Sequence, residues 1–267
     1  SVSIAPCDET GVLRLEEFEK LFTPQTRLVV MQYASNVSGT IQPIAEIGAI
    51  CRRHGALFAV DSAQAAGHFL FDMRALQVDA MCFTGHKGLL GPSGIGGFVM
   101  NEAMNKAMTP LIAGGTGSMS ASLEMPPTLP DRYEAGTPNL PGIMGLGVAL
   151  RYLMEVTPDA LHKREMALTD RFLAGLRGNA HIRVPGPIDA RGRVGVISVD
   201  FLRQDNAEVA FQLEEQYGIL TRCGLHCAPL AHKTLGTYPE GTVRFSIGYT
   251  TTEDEVDTAI QAIHALS

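Results

Sequence analysis

Four short apolar runs in the first hundred residues constrain this fold more than any other feature. They are RLVVMQY (27–33), ALFAVDS (56–62), DAMCFTG (79–85) and GGFVMN (96–101). Each is too short for a helix, rich in β-formers and bounded by turn residues, so each reads as a buried strand. Between the first two lies PIAEIGAICRRHG, which Pro43 opens and Gly55 stops, with Ile44, Ile47 and Ile50 at helical spacing. Strand–helix–strand repetition predicts crossover units and an α/β fold, with a mostly parallel sheet in its large domain. In such sheets ligands bind beyond the carboxyl ends of the strands, so the polar residues just after each run are the first candidates.

Further along, 110–142 is rich in Gly, Pro, Ser and Thr. A loop that long inside a compact domain is usually functional. Helices are expected over 142–155 and 158–177, the second started by Thr157 and Pro158. A strand over 194–201, a helix over 206–217, strands around GILTRC and at 241–248, and a last helix opened by a Thr252–Glu255 capping box complete the chain. The expected division is a large domain over 1–155 and a smaller α+β C-terminal domain over 156–267.

Composition excludes several classes. With 45% apolar and 18% charged residues, the chain has the material for a core and is neither disordered nor a coiled coil. Acidic residues outnumber basic ones 28 to 21, with no basic stripe, against a nucleic-acid partner. No apolar stretch suffices for a membrane span and the N-terminal residues lack the pattern of a signal peptide, so a cytoplasmic protein is expected. The five cysteines are an odd number in a long chain, which reads as mostly reduced core thiols and not as a disulfide scaffold.

The strongest local signal is FTGHKGLLGPSGIGG, which puts Thr84, His86 and Lys87 directly after a buried strand. A solvated loop lysine beside a satisfied histidine fits that spacing as well. The glycines are wrongly ordered for a Walker A loop or a dinucleotide fingerprint. One strand earlier, VDSAQ places Asp61 at a strand end with Gln64 close behind. Alone, Asp61 reads as a turn or capping residue. Together, Lys87 and Asp61 meet the demand of pyridoxal phosphate for an amine and for a carboxylate at its pyridine nitrogen. Asn36 and Gln64 would serve the ring oxygen; Thr84 and His86 would serve the phosphate. In TRCGLHCAPLAHKTLGT, Cys223, His226, Cys227 and His232 fit a zinc site poorly, because the spacing is not that of a common knuckle. A thiol on a loop beside Arg222 and His226 suits a nucleophile better. Arg244, on a strand between Val243 and Phe245, is either an exposed strand arginine or a clamp for a carboxylate.

In order, SNVSGTIQPI, VDSAQAAGH, FTGHKGLLGPSGIG, EAGTPNLPGI, RCGLHCAPLAHKTLGT and VRFSIGYTTTEDEVD resemble the motifs of the cysteine desulfurases in the class V aminotransferase group. The resemblance covers nearly the whole chain. It implies the pyridoxal-phosphate transferase type I fold and a homodimer. It implies Lys87 as the lysine that bonds the cofactor, Asp61 at the pyridine nitrogen, Gln64 and Asn36 near the ring oxygen and substrate, and Ala63 against the ring face. Thr84 and His86 would hold the phosphate, and Thr137 would reach the phosphate of a partner subunit. Arg244, with Arg222 close by, would bind the carboxylate of L-cysteine. Cys227 would take the substrate sulfur as a persulfide, release L-alanine and pass the sulfur to an acceptor protein, as in iron–sulfur cluster assembly. A selenocysteine lyase, another class V aminotransferase-type enzyme, or a non-catalytic remnant serving as a scaffold are the alternatives. Two departures from the family pattern stand out. Members carry a substantial segment ahead of the point matching Ser1, so the chain is expected to be a fragment or a truncated relative. Leu225 also stands where better-known members often have histidine.

Overall fold

The computed structural model describes residues 1–267. Its first half is a four-stranded sheet of β1 (Leu28–Gln32), β2 (Leu57–Asp61), β3 (Ala80–Thr84) and β4 (Gly96–Met100), in that spatial order. β1, β2 and β3 run parallel, with Gln32 beside Asp61 and Asp61 beside Cys82, so their carboxyl ends lie level. β4 returns antiparallel and starts at the same edge, Gly96 facing Thr84. A short helix α1 (Leu15–Glu19) precedes the sheet, and α2 (Ile44–Arg53) crosses from β1 to β2. Ile44, Ile47 and Cys51 of α2 bury themselves against Phe58 and Val60 of β2. Each large side chain fully buried there stabilises the fold by about 1.5–3 kcal/mol. At the opposite edge Asp79 ties the strand starts together. One carboxylate oxygen accepts from the Phe58 amide at 2.8 Å and the other from Asn101 Nδ2 at 2.6 Å.

After α3 (Glu102–Ala107) the chain runs through an irregular segment, broken only by a 3-10 turn at Asp131–Tyr133, to α4 (Leu140–Val156) and α5 (Pro158–Leu176). The remainder builds a second sheet from β5 (Ile182–Arg183), β6 (Val196–Phe201), β7 (Arg222–Gly224) and β8 (Thr242–Ser246), all antiparallel in the order β5-β6-β8-β7. α5, α6 (Asn206–Tyr217) and α8 (Glu253–Ala265) cover one face of it, burying Phe172, Ile197, Val199, Leu213, Val243 and Ile263. Asp205 caps α6 by accepting from the amides of Ala207 and Glu208, and the capping box of Thr252 and Glu255 opens α8. α7 (Pro229–Thr234) is a short helix just after Cys227.

The two sheets meet at the turn after β1. Arg193 is fully buried there and donates to the carbonyls of Ser38 (2.9 Å), Val196 (2.8 Å) and Pro187. Gly39, at φ 73°, lets that turn approach: a Cβ would stand 2.4 Å from the Val196 carbonyl oxygen. No helix is long and apolar enough to cross a membrane.

As expected, the architecture is α/β with a mostly parallel first sheet, in which β1–β2 and β2–β3 are parallel and β3–β4 antiparallel; the second sheet is wholly antiparallel. Other expectations need correction. The strand expected around GILTRC begins only at Arg222 and ends at Gly224, so Cys223 lies on it as expected but Ile219 and Leu220 do not. Thr157 does not cap α5 with its side chain and sits at φ 61°, because the chain turns sharply there between two abutting helices. Of the five cysteines only Cys51 is buried, while Cys82, Cys223 and Cys227 are exposed.

Candidate active site

The level carboxyl ends of β1, β2 and β3 bring three polar segments to one edge. After β1, Ser35 Oγ accepts from the amides of Val37 and Ser38 at 3.1 Å each, folding SNVSGT into a tight turn with Asn36 at its tip. After β2, Asp61 Oδ1 accepts from the Ala63 amide at 2.8 Å, while Ser62 Oγ bonds the Cys82 carbonyl and locks the strand end. Asp61 is exposed, with Ala63 and Gln64 half-buried beside it. After β3, Thr84 Oγ1 and His86 Nδ1 are hydrogen-bonded at 2.9 Å, and Lys87 follows, exposed. The Leu90 amide bonds the Lys87 carbonyl at 2.8 Å and the Gly91 amide bonds the Gly85 carbonyl at 2.7 Å, which fixes the lysine segment as a compact double turn.

The second sheet supplies the other wall. Arg222 of β7 is the register partner of Arg244 of β8, so both arginines share one face. Arg244 is half-buried; its Nη1 donates to the Asn36 carbonyl at 3.0 Å, and its Nε is buried without a partner. Burial, then the like charge of Arg222, draws its pKa below the usual arginine value, while Cys227 acts in the opposite sense. Asn36 also reaches across: its Nδ2 donates to the His226 carbonyl at 2.7 Å. One residue after β1 thus touches both the carboxylate-clamp candidate and the backbone beside the nucleophile candidate.

Cys227 sits on strained backbone. His226 and Cys227 have φ of 49° and 61°, and the Ala228 amide donates to the Leu225 carbonyl at 2.8 Å, giving the φ pattern of a type I′ turn. That turn favours Asn-Gly, and ordinary residues in it store of order 1 kcal/mol each. The His226 ring is buried, with Nε2 3.2 Å from Thr242 Oγ1 and its ring tilted against His232, centroids 5.6 Å apart. Burial lowers its pKa to about 4; the charges of Arg244, His232 and Arg222 add to this and the Thr242 contact opposes it. The Cys227 side chain is exposed. No group of three His, Cys, Asp or Glu side chains gathers closely enough to hold a metal ion, at Cys223, His226, Cys227 and His232 or elsewhere.

Between the two walls lies a cleft of about 270 Å³ lined by Gln64, His68, Lys87, Glu165, Arg244 and Tyr249, among others. The structure therefore brings together Lys87, Gln64 and Arg244 in one cleft, and Asn36, Arg244 and the Cys227 turn in one hydrogen-bonded chain. Thr137 stays apart, exposed on the long irregular segment. That segment is anchored near the lysine turn by Asn139, whose Nδ2 donates to the Gly94 carbonyl at 3.1 Å. Sequence reasoning missed His68 and Glu165, whose Nδ1 and Oε2 stand 2.8 Å apart. The only available signal for His68 was its place at the end of VDSAQAAGH.

Lys87 and Arg244 thus line one cleft at the carboxyl edge of the first sheet, with the exposed Cys227 thiol on a turn tied to Arg244 through Asn36. Residues 1–258 match the aminotransferase class-V family, and the chain belongs to that family. It is 37% identical over 271 residues to a cysteine desulfurase of Escherichia coli O9:H4 (strain HS), covering 98% of this chain and 64% of the relative. Among solved structures, it superposes on the apo cysteine desulfurase of Thermococcus onnurineus NA1 with a TM-score of 0.88 and 32% identity, covering 99% of this chain and 65% of that one. The S-sulfonic acid form of the Escherichia coli cysteine desulfurase CsdA gives a TM-score of 0.84 at 26% identity, with 98% and 63% covered. The chain thus spans slightly less than two thirds of these relatives' length.

Proposed function

We propose that this chain carries the lysine cleft and the sulfur-accepting cysteine of a pyridoxal-phosphate-dependent cysteine desulfurase. The observation that carries this reading is the link from Asn36 to both Arg244 and the Cys227 turn, with Arg244 and Lys87 in one cleft. The likeness to cysteine desulfurases along almost the whole chain supports it.

The residues present fit the cofactor by their chemistry: an amine, a carboxylate at a strand end, and a hydroxyl–imidazole pair. Arg244, which lines the same cleft, has a buried Nε without a hydrogen-bond partner, a donor left for the substrate's carboxylate. Lys87 would bond the cofactor, Asp61 would face its pyridine nitrogen, Ala63 its ring, and Thr84 with His86 its phosphate. Gln64 would serve the ring oxygen. Asn36 has one amide hydrogen committed to His226, which leaves its Oδ1 and second hydrogen for that role or for substrate. When bound, the cofactor supplies an electron sink that makes the substrate α-proton removable.

This chain's own residues do the rest. Arg244 holds the substrate carboxylate, a task suited to a planar fork of donors, with Arg222 adding positive potential. The Lys87 amine carries the proton taken from the α-carbon. The Cys227 thiolate attacks the substrate sulfur: its electron pair forms the new S–S bond, and the pair of the breaking S–Cβ bond stays with the carbon skeleton. Protonation at Cβ, balanced by the proton that Cys227 gave up, and return of the α-proton by Lys87 give L-alanine, and the persulfide on Cys227 passes its outer sulfur to an acceptor protein. The proposal includes a two-domain arrangement dividing near 155/156 and a second copy to which Thr137 would reach. Met144 and Val148, one turn apart on α4 and both exposed, agree with a face covered in the assembly. The test is L-cysteine turnover with and without Cys227→Ala. Loss of alanine release in the variant supports the persulfide route, and undiminished release excludes it.

A further inference from the structure

A mostly buried histidine–carboxyl contact joins the two halves of the chain beside the lysine cleft. His68, in the turn after β2, and Glu165, from the second turn of α5, are 97 residues apart in sequence, yet Nδ1 and Oε2 meet at 2.8 Å. The side chains are only 17% and 6% exposed, and both border the cleft that Lys87 lines. Putting a carboxylate there has a desolvation cost, so the contact needs a reason beyond surface solubility. His162, one turn earlier on α5, has its pKa drawn below the ordinary value by burial, with Glu165 opposing.

The far edge of the His68 ring shows what the contact does. It stands against Gly88, the residue after Lys87: a Cβ on Gly88 would lie 2.7 Å from His68 Cδ2 and 2.8 Å from Nε2. On the other side, a Cβ on Gly67 would lie 2.0 Å from the Gly88 carbonyl oxygen. The 66–68 turn and the lysine segment are thus packed backbone to backbone, with the imidazole as the wedge. With its Nδ1 hydrogen held by the carboxylate, the ring has one orientation.

We propose that His68 and Glu165 are positioning residues for Lys87: Glu165 fixes the His68 ring, and the ring edge seats Gly88, so a helix packed on the second sheet sets where the lysine of the first sheet points. This rests on the reading of Lys87 as the reactive amine. Two measurements on the whole chain keep the two ideas separate. The first is hydrogen exchange at the Leu90 and Gly91 amides, whose bonds close the lysine turn. The second is the rate at which pyridoxal phosphate with borohydride labels Lys87, read by peptide mapping.

His68→Ala and Glu165→Ala should speed exchange at those two amides about tenfold, with the amides of β6 and β8 unmoved, and slow labelling of Lys87 about tenfold. Glu165→Gln keeps an acceptor for the Nδ1 hydrogen and should restore both to within about twofold of wild type. Should an alanine variant not fold, Glu165→Met, of similar length and without an acceptor, takes its place with the same expected losses. Unchanged exchange and labelling in the alanine or methionine variants would overturn the proposal, as would a glutamine variant that behaves like alanine. If Lys87 is never labelled but the exchange pattern is as expected, the positioning contact stands and the reactive-lysine reading falls.

Discussion

Replacing Cys227 by glycine should stabilise the protein while removing its proposed nucleophile. Cys227 sits at φ 61° and its neighbour His226 at 49°, held there by the Ala228–Leu225 bond at 2.8 Å and by Asn36 Nδ2 on the His226 carbonyl at 2.7 Å. A side chain at such φ costs about 1–2 kcal/mol, which glycine does not incur. Glycine also gains entropy in the unfolded chain, offsetting the relief by roughly 0.5–1 kcal/mol. Because the Cys227 side chain is exposed, removing its thiol forfeits little burial. The net expectation is a gain of about 0.5–1 kcal/mol over wild type, a melting shift of about 1–2 °C at this chain length. Cys227→Ala keeps the Cβ and should show no gain. Urea and thermal unfolding of wild type, Cys227→Gly and Cys227→Ala give the answer directly. A glycine variant less stable than the alanine variant would refute the claim that the nucleophile candidate is held on strained backbone.

Three other outcomes are expected. Arg244→Lys, which keeps the charge but loses the planar fork and the bond to the Asn36 carbonyl, should raise KM for L-cysteine about tenfold to hundredfold and change kcat less. Arg193→Met leaves the carbonyls of Ser38, Val196 and Pro187 without their donor and should destabilise by about 3 kcal/mol or more, read from urea midpoints. Burial lowers the pKa of His226 from 6.5 to about 4, so the unfolded chain binds its proton first. Stability from this group is full above pH ~6.5 and falls as pH drops toward ~4, by up to about 3 kcal/mol. His226→Gln should flatten that slope in urea titrations between pH 7 and 4.5; a residual slope from His162 and His232, whose pKa values burial also lowers, is expected.

The four strands of the first half were legible, whether paired parallel like β2 or antiparallel with Phe98 and Val99 exposed like β4, because each is a short run of β-forming apolar residues between turn residues. Their level carboxyl ends made Asp61, Thr84, His86 and Lys87 legible too, since chain position alone puts them at the ligand edge. α1, α3 and α7 span only five or six residues, too few for a 3.6-residue period to show. Thr157 had the composition of a cap, but the abutment of α4 and α5 decided its backbone. The contacts that organise the site were not legible, because they join residues far apart in the chain. Asn36 meets His226 across 190 residues and Arg244 across 208, and no local pattern encodes either bond. The φ values at His226 and Cys227 were hidden for a related reason: neither residue is a glycine, so composition gave no sign of a left-handed turn.

The central claim is that Lys87 and Cys227 work in one reaction on one substrate. Its most direct test is to incubate the purified protein with pyridoxal phosphate and L-cysteine, quench, and map both residues by mass spectrometry while measuring released alanine. Alanine release, a borohydride-stable label on Lys87 and one additional sulfur on Cys227, with Lys87→Ala abolishing the sulfur and Cys227→Ala abolishing alanine release, is the predicted result. Alanine formed at an undiminished rate by Cys227→Ala, or sulfur accumulating on Cys223 while Cys227 stays unmodified, would contradict it.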